Sequence, residues 1–167
     1  MPSATKETLV ARARLIQKIR SFFEGRDILE VSTPVLGKTT TTDMQIDSFK
    51  TDDYFLQTSP EFYLKRLLAA DLGAIYQLGP VFRRGEEGKK HQPEFTLLEW
   101  YRPGFLLADL IQEVSDLLVN ILNCPPIKCF SYQAVFEELL DCQPHLASIE
   151  VLNAMAVKHQ VISLKDA

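Results

Sequence analysis

Cysteine is scarce in this chain, and the three present, Cys124, Cys129 and Cys142, are an odd number without zinc-type spacing. That excludes a fully paired disulfide framework and predicts reduced thiols in a cytoplasmic protein. No charged-then-apolar pattern opens the sequence, and no apolar run approaches the length that spans a bilayer, so neither a secretory signal nor a membrane partner is expected. Internal repeats and low-complexity segments are lacking, which excludes solenoids and disordered tails. Charge of one sign is lacking too. The 18 Lys and Arg against 22 Asp and Glu give a formal net charge of −4, no basis for strong unspecific binding to nucleic acid. Basic residues do gather locally, at Arg83, Arg84, Lys89 and Lys90.

What is present is an ordinary globular composition, 46% hydrophobic and 24% charged over 167 residues, enough for one domain with a proper core. Residues 6–23 have helical periodicity, with Leu9, Ile16, Ile19 and Phe23 on one side, and Gly25 is a plausible stop. Ile28 to Val31 reads as a short strand closed by Thr33-Pro34, and the polar run Lys38 to Asp43 as a loop. Met44 to Phe49 and Asp53 to Leu56 suggest a hairpin. Ser59-Pro60-Glu61 is a helix-start signature: Ser caps, Pro takes the first helical position and Glu favours the positive end of the dipole. That helix extends to about Ala70. Ala74 to Leu78, Pro80 to Arg84 and Glu94 to Arg102 read as strands, the last two separated by a basic loop. An apolar helix over Leu107 to Leu122, a Cys124-Pro125-Pro126 turn, and helices near Tyr132 to Leu140 and Ile149 to His159 complete the pattern. Val161 to Ala167 reads as a short strand or a cut end.

The stretch from Phe82 to Tyr101, FRRGEEGKKHQPEFTLLEWY, carries the most chemistry. On a pleated strand Phe95, Leu97, Glu99 and Tyr101 share one face, and Thr96, Leu98 and Trp100 the other. The first face offers an aromatic plate, a carboxylate and a phenol in a row, and Arg83 precedes the loop where it reaches over them. Core packing accounts for such alternation in many strands, and a solvated turn for many polar loops. Glu99 resists that explanation, because a carboxylate between Leu98 and Trp100 is costly to bury without a cationic partner.

This stretch resembles motif 2 of the class II aminoacyl-tRNA synthetases, spanning about residues 80–102, and is closest to the lysine-specific branch. The helix at 6–23 with Leu29-Glu30-Val31-Ser32-Thr33-Pro34 resembles motif 1, about residues 9–34. Leu56-Gln57-Thr58-Ser59-Pro60-Glu61 followed by Lys65-Arg66-Leu67-Leu68 resembles the Thr-Ser-Pro-Glu element of lysyl-tRNA synthetases and their paralogs. The phrase from Pro93 to Pro103, with Thr42-Asp43 and Ser131-Tyr132-Gln133, is most similar to the short paralogs of that branch, the elongation factor P β-lysine ligases.

The resemblance implies an α+β fold, part of the class II antiparallel β-sheet flanked by helices, dimerising through the motif 1 region. It implies ATP-dependent activation of lysine or β-lysine to an aminoacyl-adenylate, with transfer to a lysine of elongation factor P. Arg83 would be the catalytic clamp on the α-phosphate, since a guanidinium offers forked donors and stays cationic. ATP would also meet Glu86, His91 and Gln92, with Phe95 stacked on adenine. Ser59, Glu61, Glu99 and Tyr101 would face the amino-acid substrate. Magnesium would accompany ATP.

Three departures from the family pattern stand out. Motif 2 is usually Arg-x-Glu, but the Glu place here is Gly85, so either Glu86 takes the role by a one-residue shift or ATP binding is weakened. The asparagine usual after the loop histidine is Gln92. No Gly-x-Gly-x-Gly…Arg pattern follows Tyr101, so motif 3 and the usual magnesium ligands are missing, and no metal-binding residues are assigned. The chain therefore reads as one truncated catalytic domain, 1–167, without an anticodon-binding domain. A fragment of lysyl-tRNA synthetase, acting on its tRNA, and a non-catalytic dimerising module are the competing readings.

Overall fold

A computed structural model of the protein describes residues 4–161, and the chain divides into two compact units, Met1–Pro126 and Ile127–Ala167. The expected closing segment, Val161 to Ala167, lies outside the described residues except for Val161.

The first unit opens with helix α1, Lys6–Glu24. Thr5 caps it by accepting the Thr8 N–H on its hydroxyl, and Glu7 stands in the first turn, where a negative charge suits the helix dipole. Gly25 ends it as expected. Strand β1 follows at Leu29–Glu30, then β2 at Leu36–Gly37, β3 at Lys50–Thr51 and β4 at Tyr54–Leu56. Helix α2 covers Glu61–Ala69, the long strands β5 and β6 cover Ile75–Phe82 and Glu94–Tyr101, and α3 covers Leu107–Leu122. One sheet has the order β1-β5-β6 and a second β2-β4-β3. The β5–β6 pair is antiparallel and β1 lies parallel to β5, so the architecture is α+β with a largely antiparallel core sheet.

Several boundaries differ from expectation. The two strands expected at Ala74 to Leu78 and Pro80 to Arg84 are one strand, β5, running through Pro80. Proline is tolerated because the N–H and C=O of a strand residue point to the same side. The Pro80 carbonyl accepts from the Gln57 side chain, so the missing donor faces away from β6. Met44 to Phe49 is not a strand. Only Asp47 bridges there, to Arg84, and the hairpin pairs Lys50–Thr51 with Tyr54–Leu56. Helix α2 starts at Glu61 with Pro60 in the cap position, one residue later than Ser59 as cap implies. Cys124-Pro125-Pro126 is irregular chain.

The alternation of β6 sorts its side chains as read from the sequence. Leu98 and Trp100 pack with Leu78 against a core of Phe22, Phe23, Ile28, Tyr76 and Leu117, which joins α1 and α3 to one face of the sheet. Phe23 is fully buried; its ring stacks on Tyr76 at 4.4 Å and meets Trp100 edge-on at 5.5 Å. Behind Trp100 sits a buried carboxylate, Glu113, which accepts the indole N–H at 3.0 Å. Arg102 Nε lies 3.4 Å and Arg26 Nε 3.9 Å from the same residue. The opposite face of β5, with Ile75 and Val81 buried, contacts α2, whose Leu64 is fully enclosed. Leu9, Val10 and Leu15 of α1 and Leu29 of β1 are exposed.

In the second unit, α4 covers Tyr132–Leu140 and α5 covers Ile149–Lys158, capped by Ser131 and Ser148. Tyr132 packs against Phe136 at 4.5 Å, and Cys142 is buried. All three cysteines are free. Among the described residues no helix is long and apolar enough to cross a membrane.

Candidate active site

The second face of the sheet, away from α1 and α3, forms one wall of a cavity of about 550 Å³. Its lining includes Arg83, Ser59, Glu61 and Glu99, four of the residues singled out in the sequence. Each reaches the cavity from a different element. Arg83 follows β5, held by its backbone N–H donating to Pro93 O at 2.8 Å. Glu99 projects from β6, while Ser59 and Glu61 come from the turn that starts α2.

Glu99 is the centre of a small polar cluster. The Ser59 hydroxyl donates to its Oε2 at 2.7 Å and the Tyr101 hydroxyl to its Oε1 at 2.8 Å. Ser59 Oγ in turn accepts the Glu61 N–H at 3.1 Å, so its hydroxyl proton is left for Glu99. This explains the late helix start: the serine serves a tertiary partner and the first helical N–H together. Burial, and then the Glu99 carboxylate to which it donates, push the Tyr101 phenol well above its ordinary value. Tyr101 therefore stays a donor at neutral pH, and Glu99 keeps lone pairs free for a further donor such as an ammonium. Glu61 pairs with Lys65 one helical turn on.

Arg83 sits about a quarter exposed, with Nε donating to Thr58 O at 3.3 Å. Its guanidinium lies 5.1 Å from the centre of the Phe95 ring and 3.6 Å from the Glu86 carboxylate. Between Arg83 and Glu86, Gly85 takes φ +81, in the left-handed region that favours glycine. His91 and Gln92 are exposed and do not line the cavity; His91 O accepts the Gly88 N–H at 3.1 Å. Phe95 and Gln92 instead line a shallow opening beside Arg12.

Sequence reasoning left several lining residues without a role: Thr39, Asp43, Gln57, Thr58, Tyr63 and Arg66. Gln57 and Thr58 immediately precede Ser59, and Arg66 stands five residues beyond Glu61 in α2, so their adjacency was readable. Thr39 and Asp43 come from a loop whose path no local pattern sets.

The cavity wall thus carries Arg83 and Glu99, the latter held by the Ser59 and Tyr101 hydroxyls. The chain belongs to the tRNA synthetases class II (D, K and N), whose family model matches residues 1–159. Among curated relatives, it is 46% identical over 168 residues to the elongation factor P–(R)-β-lysine ligase of Actinobacillus succinogenes, covering 95% of this chain and 52% of that protein. The protein of the same name from Mannheimia succiniciproducens is 47% identical over 168 residues, covering 95% and 52%. That from Photorhabdus laumondii is 45% identical over 175 residues, covering 99% and 54%. The chain spans about half the length of the curated relatives it matches.

Proposed function

We propose that this chain carries the motif 1 and motif 2 part of an elongation factor P β-lysine ligase. In this reading the protein uses ATP to activate lysine or β-lysine and passes the aminoacyl group to a lysine side chain of elongation factor P. The observation that carries the reading is Glu99, held by the Ser59 and Tyr101 hydroxyls and lining the same cavity as Ser59 and Arg83. A carboxylate backed by two hydroxyls is a receptor for an ammonium, and a guanidinium on the adjoining wall is a receptor for phosphate. The names of the relatives favour a protein acceptor over tRNA.

The chemistry is direct displacement. A carboxylate oxygen of the amino acid attacks the α-phosphorus of ATP, the phosphorus–oxygen bond to pyrophosphate breaks, and an aminoacyl-adenylate remains. No covalent enzyme intermediate is needed, so the protein contributes positioning and electrostatics. Arg83 offsets charge on the α-phosphate as pyrophosphate leaves. Phe95, already under the guanidinium, offers a flat surface for adenine, and Glu86 takes the loop carboxylate role that Gly85 vacates. His91 and Gln92 would reach the outer phosphates by loop closure. Glu99 and Glu61, with Ser59 and Tyr101, hold the amine end.

Magnesium accompanies ATP in this reading. Among the described residues no three His, Cys, Asp or Glu side chains gather into a set able to hold a metal. The residues present therefore do not fit a protein-held magnesium, and no step is assigned to it. The exposed apolar residues of α1 and β1 suit a homodimer contact through motif 1, and a cytoplasmic location agrees with the free thiols.

Exchange of labelled pyrophosphate into ATP by the full-length protein, with L-lysine and β-lysine compared, tests the reading. Exchange that prefers β-lysine, followed by labelling of elongation factor P, is the expected result. Exchange with transfer to tRNA would replace it by lysine–tRNA ligation. No exchange with either isomer would overturn it in favour of a dimerising module.

A further inference from the structure

Three segments meet beside the cavity: the chain beyond β1 at Thr33, the stretch after β4 at Gln57 to Ser59, which lines it, and strand β5 from Gln77 to Phe82. Two glutamines join them, with Gln57 8% and Gln77 5% exposed. Gln77 Oε1 accepts the Thr33 N–H at 2.8 Å, and Gln57 Oε1 accepts the Thr33 hydroxyl at 3.4 Å. Gln57 Nε2 donates to Pro80 O at 3.0 Å. The Gln57 backbone N–H donates to Val35 O and its carbonyl accepts the Phe82 N–H, both at 2.9 Å. Gln57 is thereby tied to two neighbouring segments through backbone and side chain alike.

Pro80 explains why a side chain has this task. Its ring removes the N–H that a neighbouring strand would use on that edge of β5, leaving the carbonyl to be satisfied alone. The Gln57 amide takes the place of a strand there.

The residues directly after Gln57 make the two contacts that orient the site. Thr58 O receives Arg83 Nε, and the Ser59 hydroxyl donates to Glu99. Gln77 lies opposite Glu99 in the β5–β6 register, so the contacts close a ring: Thr33 to Gln77, across to Glu99, through Ser59 and Gln57, and back to Thr33.

We propose that Gln57 is a positioning residue of this site, its amide oriented by Pro80 and by Thr33, which Gln77 anchors in turn, and that it sets the direction of the Arg83 guanidinium and the Ser59 hydroxyl. The proposal deepens the ligase reading and rests on it only for the roles of Arg83 and Glu99. The two glutamines make opposite demands. Position 57 uses its amide donor towards Pro80, which a carboxylate lacks. Position 77 uses only its acceptor, which a carboxylate keeps.

The test is hydrogen exchange at the arginine Nε–H groups of the full-length protein, followed by NMR, with the Arg83 signal assigned by its loss in Arg83→Lys. Neither ATP nor amino acid is added, so the result is independent of whether the protein proves to be a ligase. Gln57→Glu and Gln57→Leu are expected to speed Arg83 Nε–H exchange about tenfold. Gln77→Leu should speed it by a smaller factor, and Gln77→Glu, which keeps the acceptor for the Thr33 N–H, should stay closer to the wild type than Gln77→Leu does. If the Gln57 variants fail to fold, Gln77→Leu and Thr33→Val carry the test, with faster Arg83 exchange expected in both. An unchanged Arg83 rate in every folded variant overturns the proposal. So does an equal effect of Gln77→Glu and Gln77→Leu, or an equal rise across the β5 and β6 backbone amides, which would mark general loosening.

Discussion

Ser59 and Glu99, 40 residues apart in the chain, are joined by a 2.7 Å hydrogen bond in which the serine hydroxyl donates to Oε2. The bond ties the turn before α2 to the middle of β6 and fixes the one carboxylate that both the strand pattern and the cavity single out. With Tyr101 on its other oxygen, Glu99 is held from two sides before any ligand arrives. Such preorganisation lowers what a ligand must spend on ordering the site.

Glu99→Gln should therefore weaken amine recognition more than nucleotide binding. A hydrogen bond to a charged partner contributes about 1.5–3 kcal/mol, so KM for the amino acid should rise roughly ten- to hundredfold. KM for ATP should stay within about twofold. Steady-state pyrophosphate exchange measures both, and equal losses for the two substrates would count against the assignment.

Arg83→Ala should lower the rate of adenylate formation by about 10²–10³, the usual effect of removing one electrostatic contact to a transition state. The fold should survive. The Arg83 side chain is 25% exposed and its partner Glu86 31%, a setting in which an ion pair contributes about 1 kcal/mol or less. Pyrophosphate release and circular dichroism read the two claims separately. An unchanged release rate would sink the catalytic role.

Glu113→Ala should be the most damaging change outside the cavity. Its carboxylate is 5% exposed and faces Trp100, Arg102 and Arg26, so its removal leaves a largely buried guanidinium without an anion. Breaking such a buried pair costs about 3 kcal/mol. Urea unfolding of the full-length protein gives the value, and a loss below about 1 kcal/mol would show that water already serves Arg102.

Stability should depend on pH at both extremes through Glu30 and Tyr76. The Arg20 hydrogen bond holds the Glu30 carboxyl below its ordinary value, aided by the Tyr76 hydroxyl at 2.9 Å. That contribution is present above the ordinary carboxylate range and is lost as pH falls through the lowered folded value. Burial, followed by the Glu30 contact, pushes the Tyr76 phenol up from 10.0 to about 12. Its contribution is complete below pH 10.0 and is lost as pH rises towards about 12. Because Arg20 is 52% and Glu30 35% exposed, the acid-side effect amounts to about 1 kcal/mol or less. Urea midpoints across the pH range should show a smaller acid-side loss in Glu30→Gln. An identical acid limb in the variant would refute the linkage.

Much of the site was legible because strands alternate. The period of two alone sends Phe95, Leu97, Glu99 and Tyr101 to one face and Leu98 and Trp100 to the core, and the structure sorts Leu97 and Glu99 from Leu98 and Trp100 in that way. The helices were legible for a similar reason, with α1 ending at Gly25 and α3 covering Leu107–Leu122. The hairpin was misplaced because Met44 to Phe49 has strand-like residues but a single bridge as partner, and pairing is a tertiary property. Pro80 hid the continuity of β5, since only a view of the neighbouring Gln57 shows which edge the missing donor faces.

The sequence by itself determined the face each β6 residue occupies, the extent of α1 and α3 and the order of the motif elements, all of which follow from local sterics and periodicity. Tertiary structure alone decided that Ser59 and Tyr101 would both donate to Glu99, that Glu86 would stand beside Arg83, and that His91 and Gln92 would remain outside the cavity. It also decided that two glutamines would lock Thr33 to the cavity wall. Hydrogen bonds between segments tens of residues apart depend on how the segments pack against one another, and no local pattern encodes that packing.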